Sequence, residues 1–155
     1  MDPLDVKIRR GTSRDLAAVF ALVEELAVYE RAGHEVATTP EAYREHLAAG
    51  WFDCLVAVEQ VGRQPPGIVG TMIYYRAYST WKGPMLYLED FVVAEAARRR
   101  GVGAALWGEL VARARAARCS SVKWQVLDWN EPAKAFYAAV GAELEGGWEN
   151  GRLWL

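Results

Sequence analysis

Cysteine is scarce in this chain. Its 155 residues include two, Cys54 and Cys119, far apart in sequence and in apolar or helix-end settings. Such a pair builds neither a disulfide scaffold nor a thiolate metal site and reads as reduced thiols. Histidine is equally rare: His34 and His46 fall in a loop and on a helix without metal-ligand spacing, so both read as structural or solvated and no metal is expected. Apolar runs stay well short of the roughly eighteen residues a membrane-spanning helix needs, and no charged-then-apolar leader opens the chain, which makes the cytoplasm the default compartment and a membrane partner unexpected. Net charge is only −2; a near-neutral chain lacks the basic footprint of a nonspecific nucleic-acid binder. Internal repeats, linkers and low-complexity segments are missing too, and the length suits one compact domain spanning 1–155. What is plentiful is aromatic surface, with 7 Trp and 7 Tyr, some suited to a pocket wall and most to a core.

Periodicity places the elements. Val6, Lys7, Ile8 and Arg9 alternate as a first strand, and Thr12 with Asp15 three residues later opens a helix whose apolar face is Leu16, Val19, Phe20, Val23, Leu26 and Ala27. Thr39 and Pro40 start a second helix that Gly50 closes. The loop between these helices, residues 29–38, is a candidate wall of an acceptor site. Residues 54–58 and 68–76 read as a hairpin around a Pro/Gly turn, and residues 85–93 as the central strand. A helix over 102–118, a strand over 122–126 and a helix opened by Asn130 and Pro132 follow. Residues 142–146 and 152–155 read as closing strands whose exposed edge offers a pairing surface. The order β-α-α-β-β-β-α-β-α-β-β describes a mixed, mostly antiparallel sheet with helices on both faces.

The chain is organised around residues 87–107, YLEDFVVAEAARRRGVGAALW. A β-branched run carrying Glu89 and Asp90 leads through Arg98, Arg99 and Arg100 into Gly101-Val102-Gly103-Ala104 and the start of an amphipathic helix. A helix start exposes unpaired N–H groups and about half a positive charge. Anions bind at such ends. The glycines permit close backbone approach, and guanidinium groups match phosphate oxygens. Read without its flanks, the same segment is equally a solvated basic helix start. A nucleotide-triphosphate loop would need Gly-Lys-Ser/Thr where Gly103-Ala104-Ala105 stands. The dinucleotide fingerprint fails at Leu106 and lacks its acidic residue near Ser121 and Val122.

Arg-x-x-Gly-x-Gly-Ala after a strand ending Phe91-Val92-Val93 resembles the pyrophosphate loop of the GNAT superfamily of acetyl-CoA-dependent N-acetyltransferases, and the element order resembles that fold along nearly the whole chain. Leu88-Glu89-Asp90-Phe91, Arg118-Cys119-Ser120-Ser121, Trp129-Asn130-Glu131-Pro132, Phe136-Tyr137 and Gly141-Ala142 are similar to the diamine (spermidine/spermine) and thialysine N-acetyltransferase family. The resemblance implies acetyl-CoA as co-substrate, a small primary amine as acceptor and a homodimer. It also implies cofactor contacts from Phe91, Val92, Val93, from residues 98–104 and from Asn130, Glu131, Pro132 and Ala133. Asn130 reads at the same time as a plain helix N-cap.

The chemistry asks for two proton transfers. An alkylamine has a pKa near 10.4, so on the order of one molecule in a thousand is the free nucleophile at neutral pH. Glu89 is the candidate base, directly or through a water; on a regular strand Asp90 would face the other way unless a bulge intervenes. A backbone N–H of Phe91, Val92 or Val93 suits the developing oxyanion. Tyr137 matches the family's general acid for the leaving thiolate, against the plainer reading of an aromatic helix face. Tyr29, Glu30, Trp81, Glu89, Asp90, Trp124 and Glu149 are the acceptor-site candidates. Against the family's pattern, the sequence stops at Leu155 where a C-terminal extension is expected, and it carries Arg31-Ala32-Gly33-His34 where an acidic loop would suit a polycation. Both features weigh on the polyamine more than on acetyl transfer. The alternatives are a protein or peptide amine as acceptor, and an acetyl-CoA-binding sensor without turnover.

Overall fold

The computed structural model describes residues 5–155. Two compact units are distinguished, one running to Gln125 and the other Val126–Leu155. The first holds a five-stranded sheet in the order β1-β2-β3-β4-β5: β1 Val6–Arg10, β2 Asp53–Glu59, β3 Gly67–Ser79, β4 Gly83–Val93 and β5 Val122–Trp124. Neighbours pair antiparallel except β4 with β5, which is parallel. Helices α1, Leu16–Tyr29, and α2, Pro40–Ala48, follow β1; α3, Val102–Ala116, connects β4 to β5. The mixed sheet and the tandem helices after the first strand agree with the expected architecture.

Strict alternation explains the two cores. On β2, Leu55 and Ala57 join Met72, Leu88, Val102, Leu106 and Leu110 under α3, while Cys54 and Val56 face the other way with Leu16, Val19 and Ile73 under α1. Gly70 on β3 lets α3 approach: a Cβ there would lie 3.1 Å from Leu106 Cδ1 and 3.3 Å from Val102 Cγ1.

The opening of α1 differs in detail from expectation. The helix begins one residue after Asp15, whose carboxylate accepts from the Thr12 N–H at 2.7 Å and from both terminal nitrogens of Arg9. The Arg9 guanidinium, with the Thr12 contacts, holds the Asp15 carboxyl down at about 2 against an ordinary 3.8. A depressed folded-state pKa adds stability above the unfolded value and loses it as pH falls. We therefore expect up to about 2 kcal/mol of folding free energy to disappear between roughly pH 4 and pH 2. Urea titrations should show that loss in the wild type and a flatter profile in Asp15→Asn.

The second unit contains α4, Glu131–Ala139, with Asn130 as its N-cap accepting from the Ala133 N–H at 3.3 Å. The expected closing strands over 142–146 and 152–155 are corrected: the described residues beyond α4 form no strand. Glycines 146, 147 and 151 interrupt the segment and Gly147 sits at φ 86°, so no run there presents a continuous pleated face. With the strands goes the pairing edge they were expected to expose. The strand expected over 122–126 likewise ends at Trp124.

Candidate active site

The site begins with a defect in pairing. From Met72↔Phe91 and Ile73↔Asp90 the β3–β4 register jumps to Tyr74↔Leu88, so Glu89 is the extra residue of a β-bulge. The bulge reverses the parity of β4. Before it, Leu86 and Leu88 face the α3 core; after it, Phe91 and Val93 do. Asp90 is thereby turned to the α1/α2 side, and Glu89, which has no partner residue on β3, reaches the same space. Both line a cavity of about 290 Å³ with Thr38, Tyr43, His46, Trp51, Phe52, Ile73 and Tyr75.

That space is aromatic and acidic together. Tyr43 packs edge-on against Phe20 and Phe52, at centroid distances of 5.1 and 5.7 Å. Tyr75 stacks on Tyr87 at 5.2 Å, and its hydroxyl donates to Glu89 Oε2 at 3.2 Å. Burial, reinforced by the charges of Glu89 and Glu30, raises the Asp90 carboxyl to about 6. Burial and the neighbouring Asp90 push the Tyr43 phenol up to about 12, and burial with Glu89 does the same for Tyr75. Burial also raises Glu30, the C-cap residue that follows α1. Among the described residues neither Glu89 nor Asp90 is paired with a cation. An aromatic cavity holding unpaired carboxylates favours an incoming ammonium group.

The other half of the site is the edge where β4 and β5 part. Their pairing runs from Leu86↔Val122 to Leu88↔Trp124 and stops, so beyond it alternate amides of residues 89–93 face an edge without β5. The loop that follows leads to α3. Gly101, its N-cap, adopts φ 84°, and the helix start has neither a side-chain cap nor an acid in its first turn. By contrast α2 is capped by Thr39 and followed by Glu41, and α4 by Asn130 and Glu131. The amides of Val102, Gly103 and Ala104 thus head an uncapped fifteen-residue helix, a site suited to an anion.

Several candidates do other work. Arg100 donates to Glu59 on β2 at 2.5 Å, and Arg98 Nε donates to the Val93 carbonyl at 3.0 Å; together they tie the loop to the sheet. Arg99 takes φ 60°. The Trp124 ring meets Trp107 edge-on at 5.3 Å and packs on the α3 core, because a residue opposite Leu88 shares that strand's inward face. Trp81 is 92% exposed at the tip of the β3–β4 hairpin and is not among the residues that line this cavity. Tyr29 is partly exposed at the end of α1. Glu149 is exposed and Tyr137 buried in the second unit, with Phe136 edge-on to Tyr137 at 5.6 Å.

Sequence reasoning missed Tyr43, Trp51, Phe52, Tyr75 and Thr38, and took His46 for structural or solvated although it lines the cavity. The available signal was Tyr43 and His46 three apart on α2, one helical face, followed at once by Trp51 and Phe52.

Comparison with known proteins fits this geometry. The pattern that defines the Acetyltransferase (GNAT) family matches residues 19–142. The chain belongs to the GNAT acetyltransferase family. It is accordingly an enzyme that transfers an acetyl group to an amine, and GNAT acetyltransferases use acetyl-CoA. A thialysine N-ε-acetyltransferase of Bos taurus is 37% identical over 143 residues, covering 89% of this chain and 84% of the relative. The human spermidine/spermine N(1)-acetyltransferase-like protein 1 is 31% identical over 149 residues, 92% of this chain and 21% of that protein. An aminoglycoside N-acetyltransferase solved in complex with CoA shares the fold, with a TM-score of 0.76 at 15% identity over 97% of this chain and 95% of that one.

Proposed function

We propose that this GNAT enzyme, acting as a single catalytic domain over 1–155, moves the acetyl group of acetyl-CoA to the primary amine of a small molecule: a diamine, polyamine, thialysine or related amine. The observation that carries the reading is the bulge at Glu89, which turns two adjacent carboxylates into one aromatic cavity. Their unpaired charge attracts an ammonium group, and the rings of Tyr43, Trp51, Phe52 and Tyr75 accept its apolar stem. Relatives named for thialysine and spermidine/spermine acetylation support an amine of this class.

In this reading the pyrophosphate of acetyl-CoA lies on the amides of residues 101–104, with Arg99 and the loop-bracing Arg98 and Arg100 keeping the surroundings positive. An amide of Phe91, Val92 or Val93, on the edge β5 leaves open, receives the oxyanion as the amine attacks. The Glu89/Asp90 pair takes up the ammonium and removes its proton. Tyr137 protonates the leaving thiolate, and residues 130–133 contact the cofactor, both as the family resemblance implies. The chemistry uses no metal, and the reading includes the homodimer and the cytoplasm.

The test is thiol release from acetyl-CoA with diamines, polyamines, thialysine, lysine and a histone-tail peptide as acceptors. Release with a small amine supports the reading. Release with the peptide alone would move the acceptor to proteins. Acetyl-CoA binding without release for any acceptor would point to a sensor.

A further inference from the structure

We propose that Asp90 is the group that accepts the proton of the amine, and that Glu89 positions the ammonium and tunes Asp90. This inference rests on the amine-transfer reading above and assigns the roles within the carboxylate pair.

The geometry separates the two residues. Glu89 is the bulged residue, exposed, and already engaged by the Tyr75 hydroxyl at 3.2 Å. That hydrogen bond occupies one of the Glu89 carboxylate oxygens and fixes the side chain at the rim of the cavity, a geometry suited to holding the ammonium group. Asp90 stands in the paired part of β4 opposite Ile73, is less exposed than its neighbour, and lines the cavity among aromatic rings. Ionisable groups face it from every packed element: Glu89 on its own strand, Glu30 at the end of α1, Tyr43 and His46 on α2 and Tyr75 on β3. Glu24 on α1 adds its charge to the same phenol, Tyr43. Burial first, then the negative charges of Glu89 and Glu30, raise the Asp90 carboxyl to about 6. Aqueous carboxylates, near 4, are poor bases toward an ammonium ion; one near 6 is ionised at neutral pH and closer to the amine in basicity.

The step balances without another reagent. One ammonium proton passes to Asp90. The freed lone pair forms the C–N bond to the acetyl carbon, and the C–S bond then breaks. The second nitrogen proton is lost to solvent as the sulfur takes a proton from Tyr137, which is refilled from solvent, and Asp90 returns its own proton to water. An ammonium ion and acetyl-CoA become an amide, free CoA thiol and one released proton.

The experiment is the pH profile of kcat/KM for the wild type, Asp90→Asn, Asp90→Glu and Glu89→Gln, each with an alkylamine of ordinary basicity and with a weakly basic fluorinated amine. The wild type should show an acidic limb near pH 6. In Asp90→Asn, activity toward the ordinary amine should fall about 10²–10⁴-fold at pH 7, and the limb should migrate toward the amine's own pKa, since only neutral amine then reacts. The weakly basic amine, already neutral, should lose far less. Asp90→Glu should retain the limb at a lower rate. Glu89→Gln should keep the limb and move it to lower pH, because one of the charges that raises Asp90 is gone.

Equal losses for both amines in Asp90→Asn, with the limb unmoved, would make Asp90 a packing residue and overturn the proposal. So would disappearance of the limb in Glu89→Gln, a result that decides the matter even where Asp90→Asn does not fold. A wild type that releases no thiol with any amine would instead defeat the underlying reading of function.

Discussion

Tyr137→Phe should lower kcat for acetyl transfer by about 10²–10⁴-fold, the usual contribution of a positioned acid. The substitution removes one oxygen and keeps the buried ring, so the variant should still fold, and its melting temperature is read beside the kinetics. Acetyl-CoA affinity should also hold, because the phenol's proposed work is confined to the step in which the C–S bond breaks. A second readout separates chemistry from packing. An acetyl thioester of a more acidic thiol leaves without help, so with that donor the variant should recover most of the lost rate. Equal losses with both thioesters would assign Tyr137 to the packing of α4, where Phe136 meets it edge-on.

The largest effect on stability is expected at Leu106. Its side chain is 0% exposed, within the cluster that joins α3 to β2, β3 and β4, and it lies over the space that Gly70 leaves free. Truncation to alanine removes buried methyl groups and leaves a hole that the rigid sheet cannot close. A loss of about 2–5 kcal/mol is expected, or of order 10 °C in melting temperature for a chain of this size. The consequence reaches function because α3 carries the uncapped amides proposed to hold the pyrophosphate. Acetyl-CoA should therefore bind the variant more weakly, yet raise its melting temperature as its concentration increases. A variant as stable as the wild type would show that this part of the core relaxes around the missing side chain.

The carboxylate pair shows where local reading stops. Alternation along a regular strand assigns Glu89 and Asp90 to opposite faces, and nothing in LEDF announces otherwise. The bulge depends on the partner strand, since Tyr74 must meet Leu88, and Ile73 must meet Asp90, for both cores to fill. The placement of Trp124 is illegible for a related reason. An aromatic residue on a half-buried strand reads equally as pocket or core, and its pairing with Leu88 sends it to the core. The closing strands expected over 142–146 and 152–155 rest on short stretches around a glycine-rich turn, where the pattern is too brief to separate a strand from an extended chain.

Glutamate, histidine and tyrosine on separate elements are similarly opaque in one dimension. Glu30, Tyr43, His46 and Tyr75 meet around Asp90 only because two helices fold over the same end of the sheet. The arginine loop divides in the same way. Its glycines and arginines suggest an anion site only when read with the flanking strand and helix, whereas the use of Arg100 as a brace on Glu59 depends on a strand about forty residues upstream.

The sequence by itself determined the family, the mixed sheet with helices on both faces, the glycine turn that opens α3 and the identity of the acid-bearing strand, because each is written in short-range periodicity and contiguous motifs. Only the tertiary structure decided that Glu89 and Asp90 share one cavity, that aromatic side chains from α2, from the link between α2 and β2 and from β3 enclose it, and that burial raises Asp90 toward neutral pH. Register, burial and the field of distant charges are properties of residues brought together by folding, and no local pattern encodes them.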